Sequence, residues 1–341
     1  MGGDSGCGVV IDGVKLALEN NAQLTELLLV GRQDEIKAAL IKHNCRDRRV
    51  KIIHAPQVMD MEDKPLDALR KKKDCSMTRA IELVKRGQAD ALVSRGNTGG
   101  LFAASTVLLR PIENVKRAAI ATIIPTQHKE FVLIDAGANV ECKPLHLAQF
   151  AIMGNIYSRE IFGHKSPRVG ILSNGTEETK GTELTLEALR LCKKLDLNFV
   201  GNVEGHDLFD DRVEVVVCDG FVGNIVLKTL ESFAKGMFDW LKKELTSNPK
   251  RMLGAMLAKN ALRTIKRKID PDNYGGAPLL GLNGHVMKAH GSARERSIMN
   301  AIRVATESVQ HQINQMIREE LAQANKVLPE DFAPEPELVK A

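Results

Sequence analysis

Apolar residues along this chain come in short runs, each closed by a polar, glycine-rich loop and followed by helical spacing. The runs are Leu27–Val30, Val50–His54, Ala91–Ser94, Ala118–Ile124, Phe131–Ile134, Val169–Leu172, Phe199–Gly201 and Val213–Val217. Their brevity and nearly unbroken apolar character predict strands buried on both faces. The 3.6-residue period predicts helices near 33–43, 76–87, from Leu101, at 145–162 and beyond Thr182, where Leu184, Leu186 and Leu189 recur. Segment 55–75 is charged and irregular. Strand, loop and helix in repetition imply a parallel sheet with helices on both faces, its loops meeting along one rim at the carboxyl ends of the strands.

The two ends of the chain read differently. Met1-Gly2-Gly3-Asp4 is a glycine loop that opens directly into a helical pattern through Val9, Val14 and Leu18. Such loops usually follow a strand, so either an upstream strand or a fold lacking that element is expected. From Asn224 the pattern is helical to about Leu245, breaks at Asn248-Pro249 and resumes to Lys268. A polar, glycine-rich stretch over 274–284, a short run Val286–Met287, the turn Ala289-His290-Gly291-Ser292 and a helix over 294–322 follow. The acidic, proline-bearing tail 327–341 predicts disorder. These features give one domain over 1–326, a helical hairpin at 224–270, and the tail.

Composition narrows the class. The 341 residues are 43% hydrophobic, 27% charged and only 4% aromatic, with a net charge of +5. So few aromatics argue against base-stacking platforms, and nucleic acid is not expected as a partner. Basic residues bunch at 64–73 and 250–268, which points to a local anionic partner. The six cysteines are scattered with no CxxC pair, so reduced thiols and no metal are expected. No apolar run approaches the length of a membrane span.

Candidate chemistry gathers in the loops. Arg95-Gly96-Asn97-Thr98-Gly99-Gly100 and Asp135-Ala136-Gly137-Ala138-Asn139 combine glycines with Asn97, Thr98 and Asn139 as donors for phosphate or amides. Neither fits a dinucleotide or P-loop pattern, and no cofactor is expected. Lys180 follows the strand at 169–172 and the loop bearing Asn174, where it reads either as a surface lysine or as a mobile cation at an anion site. In DGFVGN, Asp219 is either a helix cap or a polar group aimed into a cleft, with Gly220 and Asn224 beside it. His290 is a candidate titrating group in a glycine setting. Met252, Leu253, Met256 and Leu257 form an apolar stripe amid lysines and arginines, fit for an anionic lipid surface or for a helix partner.

The strings MGGD, VSRGNTGG, IDAGANVECKPLHLAQF, GTEETKG, VVVCDGFVGN, YGGAPLLGLNG and MKAHGS, in this order, resemble the bacterial phosphate acyltransferases of phospholipid synthesis, from the first residue to about residue 320. The resemblance implies a three-layer α/β/α sandwich related to phosphotransacetylases and isopropylmalate dehydrogenases, with a mostly parallel sheet and a protruding hairpin. It implies a homodimer joined through that hairpin and reversible association with the inner face of the membrane. The implied reaction takes a long-chain acyl group from acyl carrier protein to inorganic phosphate, for glycerol-3-phosphate acylation by a downstream acyltransferase. Lys180 is implied as catalytic, and Asp4, Asn97, Thr98, Gly99, Asn139, Asn174, Asp219, Gly220, Asn224 and His290 as substrate- or phosphate-binding. Three departures accompany the match: no strand precedes MGGD, Arg95 replaces a small residue, and Ser173-Asn174-Gly175 differs from the family's asparagine–apolar–glycine. Rival readings are a nicotinamide-dependent dehydrogenase, a non-catalytic acyl-carrier scaffold, and a phosphotransacetylase-like enzyme using acyl-CoA.

Overall fold

The computed structural model describes residue 3, residues 6–269 and residues 273–328. Asp4 and positions 329–341 of the expected tail lie outside the described residues. The tail's first residues do not leave the body, because Leu328 is buried in the core. In chain order the elements are α1 (Gly6–Asn20), β1 (Leu27–Gly31), α2 (Gln33–Lys42), β2 (Val50–His54), α3 (Pro65–Lys71), α4 (Ser76–Lys85), β3 (Ala91–Ser94), α5 (Thr98–Leu109), β4 (Ala119–Pro125), β5 (Glu130–Ile134) and α6 (Pro144–Phe162). They continue with β6 (Val169–Leu172), α7 (Glu183–Cys192), β7 (Phe199–Val203), β8 (Val215–Val217), α8 (Gly220–Leu245), α9 (Pro249–Leu257), α10 (Lys259–Ile269), β9 (Ala277–Leu280), β10 (His285–Lys288), α11 (Glu295–Gln310) and α12 (Ile313–Ala324).

Eight strands form the main sheet in the order β3-β10-β9-β4-β5-β8-β6-β7, and β1 pairs with β2 in a separate parallel ladder. Strands β5, β8, β6 and β7 are mutually parallel, as are β3 and β10. Between these groups β9 is antiparallel to both β10 and β4, and β4 is antiparallel to β5. The architecture is the expected α/β class with a mostly parallel sheet. The single rim is corrected, because the antiparallel joints make β3 and β10 run opposite to β5, β6, β7 and β8.

One face of the sheet packs against α1, α6, α7, α11 and α12. Helix α6 lies deepest there, with Leu147, Phe150, Met153, Ile156 and Tyr157 wholly buried. Each such side chain adds about 1.5–3 kcal/mol of burial energy. The other face carries α4, α5 and the first turns of α8; Leu227 of α8 packs on the cluster that holds Leu101 and Ala104 of α5. Strand β9 was hidden in the glycine-rich stretch, and the expected last helix divides at Gln312, whose φ of 52° breaks the helical course.

At the amino ends of β6 and β8 the buried Glu214 carboxylate, held by half-exposed basic side chains, pins the sheet. The Glu214 carboxylate accepts from Arg168 N (2.8 Å), Nε (3.0 Å) and Nη2 (2.6 Å), and from Lys129 Nζ (3.3 Å). Burial alone would raise its pKa, but the Arg168 bonds outweigh it and hold the carboxyl down at about 2, from an ordinary 4.5. A depressed folded-state pKa contributes stability that is complete above pH 4.5 and is lost as pH falls through 2. Glu214→Gln should therefore lower stability at pH 7 by about 3 kcal/mol. The gap between parent and variant in denaturant titrations should shrink steadily as the pH is lowered below about 4.5.

Candidate active site

The carboxyl ends of three adjacent strands define the first candidate region. Ile134 of β5, Val217 of β8 and Ile171 of β6 stand in one register, so the loops beginning at Asp135, Cys218 and Ser173 emerge side by side. Asp135 organises the first of them. Its Oδ1 accepts from Ile120 N (3.1 Å), Gly137 N (3.2 Å) and Ala138 N (3.0 Å), and its Oδ2 from Asn139 N (2.7 Å) and Asn139 Nδ2 (2.8 Å). Burial pushes this carboxyl up, against the pull of those donors. Gly137 takes φ +131°, open chiefly to glycine.

Helix α8 starts on this loop. Gly220 N donates to Asn139 O at 2.7 Å, and Asp219 Oδ1 accepts from Phe221 N and Val222 N, both at 2.9 Å. A Cβ on Gly220 would lie 2.8 Å from Asn139 N and O, and one on Gly223 only 1.9 Å from Asp135 O. The glycines of DGFVGN are thus what lets the first turn of α8 sit on the 135–139 loop. The helix accordingly begins at Gly220, four residues ahead of the expected start.

This geometry revises several assignments. Asn139 is buried, and its Nδ2 is spent on Asp135 and on Ala118 O (2.8 Å). It shapes the loop rather than offering donors to a ligand. Asp219 caps α8, and the N–H groups of Gly220, Phe221 and Val222 already have acceptors, so no open backbone anion site exists at that helix start. What remains presented is side chains: Asn224, exposed against Gly137, and Asn174 and Lys180 in the neighbouring loop, both exposed.

Lys180 is held through its backbone. Its N–H donates to Glu177 O at 3.0 Å, and Asn202 Nδ2 donates to Glu177 O (2.9 Å) and Lys180 O (3.2 Å). Gly175 leaves room for the lysine stem, since a Cβ there would lie 2.6 Å from Lys180 Cγ. Glu178 pairs with Lys193 at 2.5 Å, and among the described residues no ion pair engages Lys180. Asn202, buried in β7, escaped sequence reasoning; the signal was there as an amide inside the apolar run Phe199–Val203. Asp135 likewise stood in plain sight as an acid closing an apolar strand.

The remaining candidates sit at the other end of the ladder. Lys288 pairs with Ser94 in register, which brings the 95–100 loop beside the 289–292 turn. Asn97 caps α5 through Gly100 N (2.8 Å), while its Nδ2 reaches Met61 O (2.8 Å) and Asp63 O (3.1 Å), tying down the charged segment. Thr98 and Gly99 are exposed at the start of α5. His290 is exposed, with Nδ1 2.8 Å from Ser292 Oγ and accepting from Ser292 N. Arg95 is buried and donates to Gly291 O (2.6 Å) and Gly6 O (3.4 Å), clasping the turn to α1. Asn139, Asn174, Lys180, Asp219, Gly220 and Asn224 thus form one group; Asn97, Thr98, Gly99 and His290 form another. Among the described residues no cluster of metal-ligating side chains occurs.

Comparison with known proteins decides the kinship. A family model described as fatty acid synthesis protein matches residues 1–316. The chain belongs to this family. It is 46% identical over 318 residues to the phosphate acyltransferase of Pelotomaculum thermopropionicum, covering 93% of this chain and 92% of that protein. It is 43% identical over 333 residues to the phosphate acyltransferase of Akkermansia muciniphila, covering 96% and 95%. This member of the family is an acyltransferase. Among solved structures it resembles a phosphotransacetylase from Streptococcus pyogenes (TM-score 0.58, 18% identity, 94% and 92% of the chains). It also resembles the EutD phosphotransacetylase from Staphylococcus aureus (TM-score 0.54, 16% identity, 87% and 92%). These distant likenesses bear on the fold alone.

Because Gly223 has no space for a side chain, Gly223→Ala should displace α8 from the loop and cost about 1–3 kcal/mol, read by chemical denaturation. Gly236→Ala, where nothing lies within 4 Å of the added methyl, should be neutral or stabilising in the same assay.

Proposed function

We propose that this acyltransferase moves a long-chain acyl group from acyl carrier protein to inorganic phosphate, giving acyl phosphate for acylation of glycerol 3-phosphate by a downstream enzyme. The observation that carries this reading is the identity of 43% or more, over more than nine-tenths of the chain, to proteins named phosphate acyltransferase. The geometry around Lys180 supports it.

In the proposed reaction a phosphate oxygen attacks the thioester carbonyl carbon, the C–O bond forms, and the C–S bond breaks with the electron pair leaving on the carrier's sulfur. Phosphate is itself the nucleophile, so no covalent enzyme intermediate is needed. The thiols nearest the loop fit that economy: burial, reinforced by Asp135 and Asp219, pushes Cys142 up to about 12 and raises Cys218 further from ionisation. Two negative groups must then meet, the phosphate and the oxyanion that develops on the carbonyl. Lys180 supplies the mobile cation between them, with Asn224 and Asn174 as amide donors. Thr98, Gly99 and His290, at the other end of the ladder, carry no step in this mechanism.

The hairpin supports the proposed partners. No residue of α9 or α10 is buried, and α8 buries only Gly220 and Gly223. Phe233, Met237 and Trp240 on α8 are 60%, 51% and 67% exposed, a face suited to a second copy in a homodimer. Met252, Leu253, Met256 and Leu257 at the turn of the hairpin are 52–82% exposed, beside Lys250, Lys259 and Arg263, a pairing suited to peripheral contact with an anionic membrane. Among the described residues no helix is long and apolar enough to cross one. For the acidic carrier, α9 and α10 are the better-charged surface: from Pro249 to Ile269 they contain no acid, whereas Lys72 of the other basic run is already paired with Asp60 and Asp63.

Lys180→Ala should leave the fold intact and lower turnover at least about a hundredfold in an acyl phosphate assay with hexadecanoyl carrier protein. A rate near the parent's would remove Lys180 from the mechanism. Leu253→Glu with Leu257→Glu should abolish co-sedimentation with phosphatidylglycerol vesicles while sparing turnover in solution; retained sedimentation would assign the stripe to protein contacts alone.

A further inference from the structure

We propose that Asn202 is a positioning residue for the transfer: from inside β7 it holds the turn Glu177–Lys180 at the setting from which the Lys180 amine reaches the reacting groups. This rests on the role given to Lys180 above and adds to it the residue on which that role depends.

Three observations carry the assignment. First, the turn has little else to place it. Thr176, Glu177, Glu178, Thr179 and Lys180 are all exposed, so no buried side chain among them anchors the segment in the core. Second, Asn202 ties the turn at both of its ends. Its Nδ2 carries two hydrogens, and the two acceptors are Glu177 O at 2.9 Å and Lys180 O at 3.2 Å. These are the same two residues that the Lys180 N–Glu177 O bond of 3.0 Å closes into a turn. Both neighbours are carbonyl oxygens, so the nitrogen of the amide, not its oxygen, must face them. The N–H and the C=O of Lys180 are thereby both fixed, and its stem is left free. Third, the amide is out of keeping with its strand. Asn202 is 2% exposed, stands in register with Ile171 and precedes the wholly buried Val203, and its Oδ1 accepts no hydrogen bond from the described residues. An aliphatic side chain would suit that place in the sheet better, since a buried amide met on one side only is costly. A residue kept against the interest of the sheet belongs to what its donors hold, and those donors hold Lys180.

The consequence is specific. An ammonium that eases the approach of two anions must stand within a narrow range of both, so a displaced turn slows the reaction. Asn202 is buried beneath the turn and touches neither substrate. Its loss therefore falls on kcat and not on the KM of the acyl donor.

Acyl phosphate formation from hexadecanoyl carrier protein and phosphate is measured for the parent, Asn202→Leu, Lys180→Ala, Lys180→Ala/Asn202→Leu and Asn202→Asp, with folding checked by circular dichroism. Asn202→Leu should lower kcat at least about tenfold and leave KM for the acyl donor within about twofold. Added to Lys180→Ala, the same change should remove less than about twofold more, because a residue acting only through Lys180 has nothing left to position. Asn202→Asp keeps the shape but turns an oxygen toward the two carbonyls. Once protonated, the introduced carboxyl donates to one of them again, and burial beside carbonyl oxygens raises its pKa. The rate of Asn202→Asp relative to the parent should therefore rise as pH is lowered from about 8 to about 6. A kcat near the parent's in Asn202→Leu, a loss carried by the KM of the acyl donor, or losses that multiply in the double variant would overturn the inference. If Asn202→Leu does not fold, Asn202→Asp decides alone: a relative rate that stays flat over that pH range would overturn it. Lys180→Ala at the parent rate is a different result, which removes the role of Lys180 itself together with the inference built on it.

Discussion

The Asp135 carboxylate, buried at the end of β5 and met by four backbone N–H groups and one side-chain amide, determines the surface on which α8 begins. A buried carboxylate without such donors would be heavily penalised, so the loop from 135 to 139 must close around it. Closing the loop turns Asn139 O toward Gly220 and leaves Asp135 O in the place a side chain at Gly223 would need. The register of β5, β8 and β6 then sets the Lys180 loop alongside. Position in this region descends from one internal charge, and the groups that remain free to act are the few side chains not consumed in building it.

That economy bears on how the region can handle anions. The first N–H groups of α8 are already used by Asp219 and Asn139, which removes the usual helix-start anion site. A charge here would come from a side chain; Lys180 is tethered through its backbone, and among the described residues no ion pair engages its amine. The same helix has a second task. Over 26 residues it buries two glycines at its root and little else, so its stability depends on packing at that root and on whatever covers its apolar face.

Much of this was legible in the chain. Strands β6 and β8 coincide with their apolar runs, because a strand buried on both faces must be apolar at nearly every position. Strand β9 was not legible: Pro278 and the flanking glycines read as loop, yet it joins β10 to β4 by antiparallel pairing on both sides, and the antiparallel β4–β5 joint then reverses one half of the sheet relative to the other. Reading the runs Ala118–Ile124 and Phe131–Ile134 as members of one parallel series, when β4 and β5 are antiparallel, is why loops at 95–100 and 135–139 looked like neighbours. Asn97 and Asn139 misled for a related reason. An amide beside glycine reads equally as a ligand donor and as a brace for a loop, and only the positions of Met61, Asp63 and Ala118 show these two to be braces. Gly220 and Gly223 read as flexibility but serve close approach. Exposure along α8 was likewise invisible, since an apolar helical stripe is the same pattern whether it faces a core or solvent.

The most direct test of the central claim is a crystal structure of the enzyme soaked in inorganic phosphate. The account predicts phosphate bound between the Lys180 amine and Asn224, above the loop that Asp135 holds closed. Phosphate bound instead at Thr98, Gly99 and His290, with the Lys180 amine directed into solvent, would contradict it.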